Sequence, residues 1–267
     1  MAIINVAQAI TGLRPLAPWV KLSSLATAAG VWTTKWASTG DPTAGTYNTT
    51  LNGAALRSTV VGQLRHIDPA SGNSYLARFT AAASQAGPLL LCDRLWHNGG
   101  ITITSTSPQT IVSPAWFARS ADGTSNGDGV LLALEVSVAT GVGTPTITVG
   151  YTNQSGATGR SATNVQATIG NTVAGTTYLI GLQAGDTGVR AVEGITLSAT
   201  WTSGTINLVA YRPLVELPIL QPRVRYTADM VQSGFPRIYS QSVPYLMFAP
   251  SISQAHVLTG TYSESQG

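Results

Sequence analysis

From residue 101 to residue 211, apolar and small polar residues alternate with period two, and no other feature of this 267-residue chain restricts its fold so strongly. That period places successive side chains on opposite faces of a strand, whereas a helix would scatter them around its axis. In "VLLALEVSV", Val130, Leu132, Leu134, Val136 and Val138 point one way, while Leu131, Ala133, Glu135 and Ser137 point the other. "GITLSATW" repeats the pattern with Ile195, Leu197, Ala199 and Trp201, which places Trp201 in the core. The connectors "ADGTSNGDG", "TNQSGATG", "QAGDTG" and "TSG" mark turns. Strands are therefore expected near 101–107, 109–118, 130–138, 145–152, 163–169, 176–182, 192–201 and 205–212.

Short strands separated by turn signals, with no helical period between them, specify an all-β sandwich or barrel and exclude βαβ units. The count suits a jelly-roll-like β-sandwich over residues 88–212, with a seven-stranded immunoglobulin-like sandwich as the competitor. The flanks have other textures. Residues 1–87 form a mixed N-terminal segment. In it, "NSYLARFTAAASQAG" predicts a short helix near 74–86, with Leu76, Phe79 and Ala83 on one face and Gly87-Pro88 as the stop. Residues 213–267 carry prolines at 213, 218, 222, 236, 244 and 250. Proline removes backbone donors and keeps its predecessor extended, so a helix or a central strand is not expected there. The stretch is too apolar for a solvated tail, which predicts an extended C-terminal arm that becomes ordered against its own sandwich or a neighbouring subunit.

Charged residues make up 9% of the chain, against ~25% in an average globular domain. The basic side chains are twelve Arg and two Lys, Lys21 and Lys35, giving a net charge of +3. The Arg are scattered singly, unlike the clusters of nucleic-acid binders, so no nucleic-acid partner is expected. Arg without Lys suits protein interfaces, where the planar guanidinium makes fixed bidentate contacts. The start lacks a basic region before its apolar stretch, and no apolar run reaches the ~18 residues of a membrane span. An intracellular, membrane-free product is expected.

The stretch "GPLLLCDRLWHNGGI" concentrates the only Cys, an Asp, an Arg, a Trp and one of three His. Cys92 and His97 stand ~16 Å apart on an extended segment, too far to act as nucleophile and base. Cys92 therefore reads as a buried thiol, and "HNGG" as a tight turn. Asp93 and Arg94 are expected to serve local backbone groups or a subunit contact. "TSNGDGVLLALE" matches a calcium loop only superficially, since Thr124 replaces the first Asp and Glu135 lies in a strand. Asp186 and Glu193 could approach as a carboxylate pair, but no aromatic sugar platform accompanies them. No catalytic residue, metal or cofactor is expected. The candidate interface residues are Trp32, Trp36, Arg223, Arg225, Phe235, Arg237, Tyr239, Tyr245 and Phe248, chosen as aromatic or Arg positions outside the regular block.

The run from "LCDRLWHNGGI" through "SADGTSNGDGVLLALEV", "YTNQSGATGR", "LQAGDTGVRAVEGITL" and "NLVAYRPL" to "PYLMFAPSISQAHVLTGTYSESQG" resembles a group of tailed-bacteriophage virion structural proteins over residues 88–267. That resemblance implies a capsid cement or decoration protein of the phage head, assembled in the host cytoplasm. Its implied partners are the major capsid protein and its own copies, as a homotrimer. A tail, neck or baseplate component, or a receptor- or glycan-binding module, is the other role the resemblance allows.

Overall fold

The structure, a computed structural model, describes residues 3, 5–69 and 71–267. After α1 (Val6–Thr11) every regular element is a strand: β1 (Ala17–Ser23), β2 (Thr33–Thr34), β3 (Thr39–Asp41), β4 (Ala54–Ala55), β5 (Ser74–Ala83), β6 (Gly87–His97), β7 (Gln109–Thr110) and β8 (Leu131–Val138). There follow β9 (Ile147–Asn153), β10 (Arg160–Asn164), β11 (Thr177–Gly181), β12 (Val189–Leu197), β13 (Thr205–Ile219), β14 (Tyr226–Asp229), β15 (Arg237–Ile238), β16 (Pro244–Phe248) and β17 (His256–Gln266). All pairings between these strands are antiparallel. The fold is an all-β, jelly-roll-like sandwich, as the alternating pattern predicts.

The larger sheet runs β2-β16-β6-β13-β8-β11-β10-β9-β12-β7, with β4 also on β6; the smaller runs β14-β5-β17-β1-β3, with β15 also on β5. Within the larger, β9, β10 and β11 are successive neighbours and β12 returns beside β9, the Greek-key order. Its alternating residues close around one core: Leu132, Leu134 and Val136 meet Ile147, Val149, Ile195, Leu197, Ile206, Leu208 and Trp201. Six strands of the 88–212 block thus form close to the expected positions. The expected strands at 101–107 and 109–118 do not. Apart from the two residues of β7 this stretch is loop, and Ile101, Ile103, Ile111 and Trp116 plug the core without a ladder. Period-two burial there reflects packing of an extended loop.

The predicted helix at 74–86 is instead β5, paired with β17 along its length. The reason is a register shift opposite Ser263 and Glu264, where Leu76 pairs with Glu264 and Arg78 with Ser263. The extra residue, Ala77, changes the phase of the strand, so Leu76, Phe79, Ala81 and Ala83 all enter one core. A single bulge therefore imitates the i, i+3 step of a helix.

Residues 213–267 are built into both sheets. Strand β13 crosses the expected boundary at 212/213 and pairs with β6 as far as Ile219, while β17 lies between β5 and β1. The prolines fit because β8 pairs only with Thr205–Tyr211 of β13, leaving one side of β13 free at Pro213 and Pro218. Pro244 opens β16. These are edge and first-residue positions, where no ladder donor is required. The surface that orders this segment is the chain's own.

Two long strands tie the layers together. Leu89 and Leu91 of β6 join Leu217 and Ile219 of β13 and Phe248 of β16 against Phe79, Leu258 and Trp19 of the smaller sheet. The outer face of the larger sheet, with Cys92, Ala133, Val209, Tyr211, Tyr245 and Met247, is covered by Trp36, Leu56 and Val60 from the N-terminal segment. That cover makes the outer face of β8 an interior.

Candidate functional site

Beneath the cover, and continuing on the other side of β6, lies a connected set of charges, all buried except the part-exposed Asp68. The side chains of Arg94 and Glu135 have no exposed surface. Arg94 Nη1 and Nη2 each donate to one Glu135 carboxylate oxygen at 2.8 Å, a bidentate pair. Its Nε and Nη2 lie 3.2 and 3.0 Å from His97 Nδ1. The guanidinium carbon stands 4.7 Å from the Trp36 ring centre and 5.1 Å from that of Tyr245, so aromatic faces surround the cation. Burial and the Arg94 charge hold His97 down to about 2, leaving a neutral imidazole that accepts from Arg94.

Asp93, next in sequence, points to the other side of β6. Its carboxylate accepts from Arg119 Nη1 at 2.8 Å, Ser242 Oγ at 2.8 Å and the Val243 backbone N–H at 2.7 Å; Arg212 approaches to 3.9 Å. Arg119 also donates to the carbonyls of Gln241 and Leu56. The Gln241 N–H and side chain in turn donate to Asp68 at 2.7 Å each. His66 then bridges two carboxylates, with Nε2 2.9 Å from Asp68 and Nδ1 2.7 Å from Glu264, while Tyr262 donates to Glu264 at 2.5 Å. Burial alone would lower the His66 pKa, but the bonds and charges of Glu264 and Asp68 outweigh it and raise the pKa. His66 and three guanidinium groups thus face four carboxylates. An unpaired charge at such depth would cost several kcal/mol.

The arrangement staples distant parts of the chain and offers no nucleophile with an adjacent base. Burial, with the charges of Asp93 and Glu135, pushes the Cys92 thiol well up, and His97 is committed to Arg94. Ser58 Oγ donates to Asp68 and not to His66. Asp122 accepts from Thr124 and Asn126, and Asp128 from Thr187, while Glu135 lies in the interior, so the superficial calcium loop has no shared centre. Among the described residues no three His, Cys, Asp or Glu are grouped to hold a metal. Asp186 is engaged by Tyr151, Asn153 and Arg160, and Glu193 by Thr152 and the Gly159 N–H.

The nine candidate interface residues divide. Trp36, Tyr239, Tyr245 and Phe248 are buried within the chain itself, because the N- and C-terminal segments pack on their own sheets. Arg223, Arg225 and Arg237 are exposed; Arg223 sits at a positive φ of 65° and Arg237 lies 4.7 Å over the Tyr239 ring. Trp32 and Phe235 are half-buried, Phe235 stacked on Tyr75 at 4.6 Å. The sequence reading missed Arg119, Asp68, His66 and Glu264 as members of the cluster. For Asp93, Arg94 and Glu135 the available signal was a charge inside an apolar strand, as in "LLLCDRLW" and "VLLALEVSV", since such a charge is kept only when paired; the four missed residues carry no such local signal.

No family model matches the chain, and no curated protein matches it. Among solved structures it is similar to a chain of the cyanophage Pam1 capsid asymmetric unit (14% identity, 57% of this chain and 95% of that one, TM-score 0.23). It is also similar to infectious bursal disease virus of the Gt strain (11%, 95% and 82%, TM-score 0.18). A third similarity is to the arabinosyltransferase EmbB of Mycobacterium smegmatis (11%, 63% and 24%, TM-score 0.24). Likenesses at these scores carry no argument about function.

Proposed function

We propose that this chain is a non-enzymatic virion structural protein, a cement or decoration protein that binds the phage head through its major capsid subunits and its own copies. The observation that supports it best is the destination of the charged side chains. Six of those in the central cluster, with His66, are buried, and together with the part-exposed Asp68 they join segments up to 198 residues apart. This is chemistry that ties the parts of an all-β fold together. The surface that remains is poor in charge, and the exposed Arg223, Arg225 and Arg237 on one proline-rich segment offer guanidinium contacts to a protein partner. The resemblance over residues 88–267 points the same way.

The test is to locate the chain in gradient-purified particles separated into heads and tails, and to measure its mass in solution by light scattering. Presence on heads and a trimer support the cement reading. Presence only on tails removes it.

A receptor- or glycan-binding role has one observation in its favour. Gly150 and Gly194 pair across β9 and β12 and leave an open groove of about 350 Å³ of mixed lining, with Pro108 and Ile195 beside Thr148, Ser161, Arg160 and Glu193. Reproducible binding to a glycan array, abolished by Gly194→Val, would favour that role.

A further inference from the structure

Lys35 is 1% exposed, yet among the described residues no carboxylate pairs with it. Its Nζ has one partner, His256 Nε2 at 2.5 Å. Burial brings the ammonium pKa down to about 7 and, with the Lys35 charge, that of His256 down to about 4. Elsewhere this chain neutralises its buried cations with carboxylates, as at Arg94 and Arg119. Lys21, the other lysine, donates instead to the carbonyls of Ser38, Pro42 and Thr43. Lys35 has neither provision.

What adjoins Lys35 is a cavity of about 140 Å³ at the seam of the two sheets, walled by the end of β1, the turn after it, β2 and the loop at Ala174 and Gly175. That is room for several waters at ~30 Å³ each. Its lining is rich in hydroxyls, from Ser23, Ser24, Ser38, Thr39 and Ser137. Thr27, also in the wall and 1% exposed, has a buried Oγ1 with no hydrogen-bond partner. A buried hydroxyl without a partner and a buried amine without a counter-charge on one cavity are two separate deficits. A single oxyanion would remove both, accepting from the ammonium and from the hydroxyl.

We propose that this cavity is a binding site for a small oxyanion, such as a simple carboxylate or inorganic phosphate, with Lys35 as its counter-charge and Thr27 as a hydrogen-bond donor. Binding restores the full charge of Lys35, because a nearby anion favours the ammonium, and therefore draws in a proton above neutral pH.

The test titrates the full-length protein with sodium acetate and, separately, sodium phosphate, against sodium chloride at matched ionic strength. Melting temperature and calorimetric heat are read at pH 8 in two buffers of different ionisation enthalpy. The expected result is a saturable rise in melting temperature with one or both oxyanions beyond that with chloride, and a buffer-dependent heat that reports proton uptake. Lys35→Met keeps the stem volume and removes the uncompensated charge, so it folds and loses both signals. Thr27→Val, nearly isosteric, weakens binding severalfold and keeps the proton uptake. Melting curves that do not distinguish acetate and phosphate from chloride overturn the proposal, as does an unchanged response in Lys35→Met. Should that variant fail to fold, an unchanged affinity in Thr27→Val overturns it instead.

Discussion

Glu135→Gln removes one charge from the centre of the buried cluster and changes almost no volume. In the wild type both carboxylate oxygens accept from Arg94 at 2.8 Å, and neither side chain has exposed surface. The amide supplies one acceptor where there were two, and aims its NH₂ at a guanidinium that only donates. His97 cannot replace the lost charge, because its imidazole is already the neutral acceptor of Arg94. Breaking a buried pair by removing one partner costs ~3–5 kcal/mol. With ~2.1 cal/mol/K of unfolding entropy per residue, a chain of 267 residues unfolds with roughly 0.56 kcal/mol/K, so the melting temperature falls by about 5–9 °C. Urea unfolding should show the same loss as a lower midpoint at constant slope. The exposed pair of Arg65 and Asp41, with side chains 59% and 50% accessible, is the control: Arg65→Gln should cost ~0.2–1 kcal/mol, under about 2 °C. If Glu135→Gln behaves like Arg65→Gln, the cluster does not hold the fold and the reasoning fails.

Two further outcomes follow from other buried groups. The folded-state pKa of His66 is raised above its ordinary 6.5, so its contribution is fully present below that value and is lost as pH rises through the folded pKa; stability should therefore fall across this window, and His66→Gln should flatten the pH profile of the urea midpoint. Lys21 and Lys35 are 2% and 1% exposed, so neither side chain should react with a bulky amine-directed ester in the native protein, while unfolding in urea should add two adducts by intact mass; rapid native labelling of either would contradict the packing.

How much of this was legible in the sequence depended on whether neighbours in the chain were also neighbours in space. The pattern of "VLLALEVSV" and "GITLSATW" revealed β8 and β12 because each strand buries one face against a core made by the same block. The helix expected at 74–86 was misread because the bulge at Ala77, which sets the phase of β5, is defined by Ser263 and Glu264 nearly 190 residues away. In the proline-rich segment a central strand is not expected, since nothing in it reveals that β8 stops at Tyr211 and leaves one side of β13 free. The burial of Glu135, on the face of β8 opposite Leu132 and Leu134, is hidden for a similar reason. The side of β8 that it occupies is solvent-facing in the sandwich alone, and becomes interior only when Trp36, Leu56 and Val60 cover it. The buried pairs of Arg94 with Glu135 and His66 with Glu264 span 41 and 198 residues, so no local spacing could declare them.

The last strand separates a detachable arm from an integral part of the fold. Strand β17 pairs with β5 through Ser74–Ala83 and with β1 through Ala17–Ser23, so it has a partner on each side. It supplies Leu258 and Tyr262 to the core and Glu264 to His66. Gly260 lets it pass beneath Trp19, where even a Cβ would lie 2.4 Å from the indole. Deleting residues 256–267 would remove ~1.5–3 kcal/mol for each of those two large side chains, before the sheet hydrogen bonds are counted, from a total stability that is typically ~5–15 kcal/mol. It would also leave β5 and β1 as facing open edges, the arrangement that promotes strand-mediated aggregation. The truncated chain should lose its near-ultraviolet circular dichroism and elute as aggregates. An arm that docks only on a neighbouring subunit predicts the opposite: a truncated chain that stays folded and monomeric with an unchanged urea midpoint, losing only attachment to the particle. That second outcome would refute the placement of β17 at the centre of its sheet.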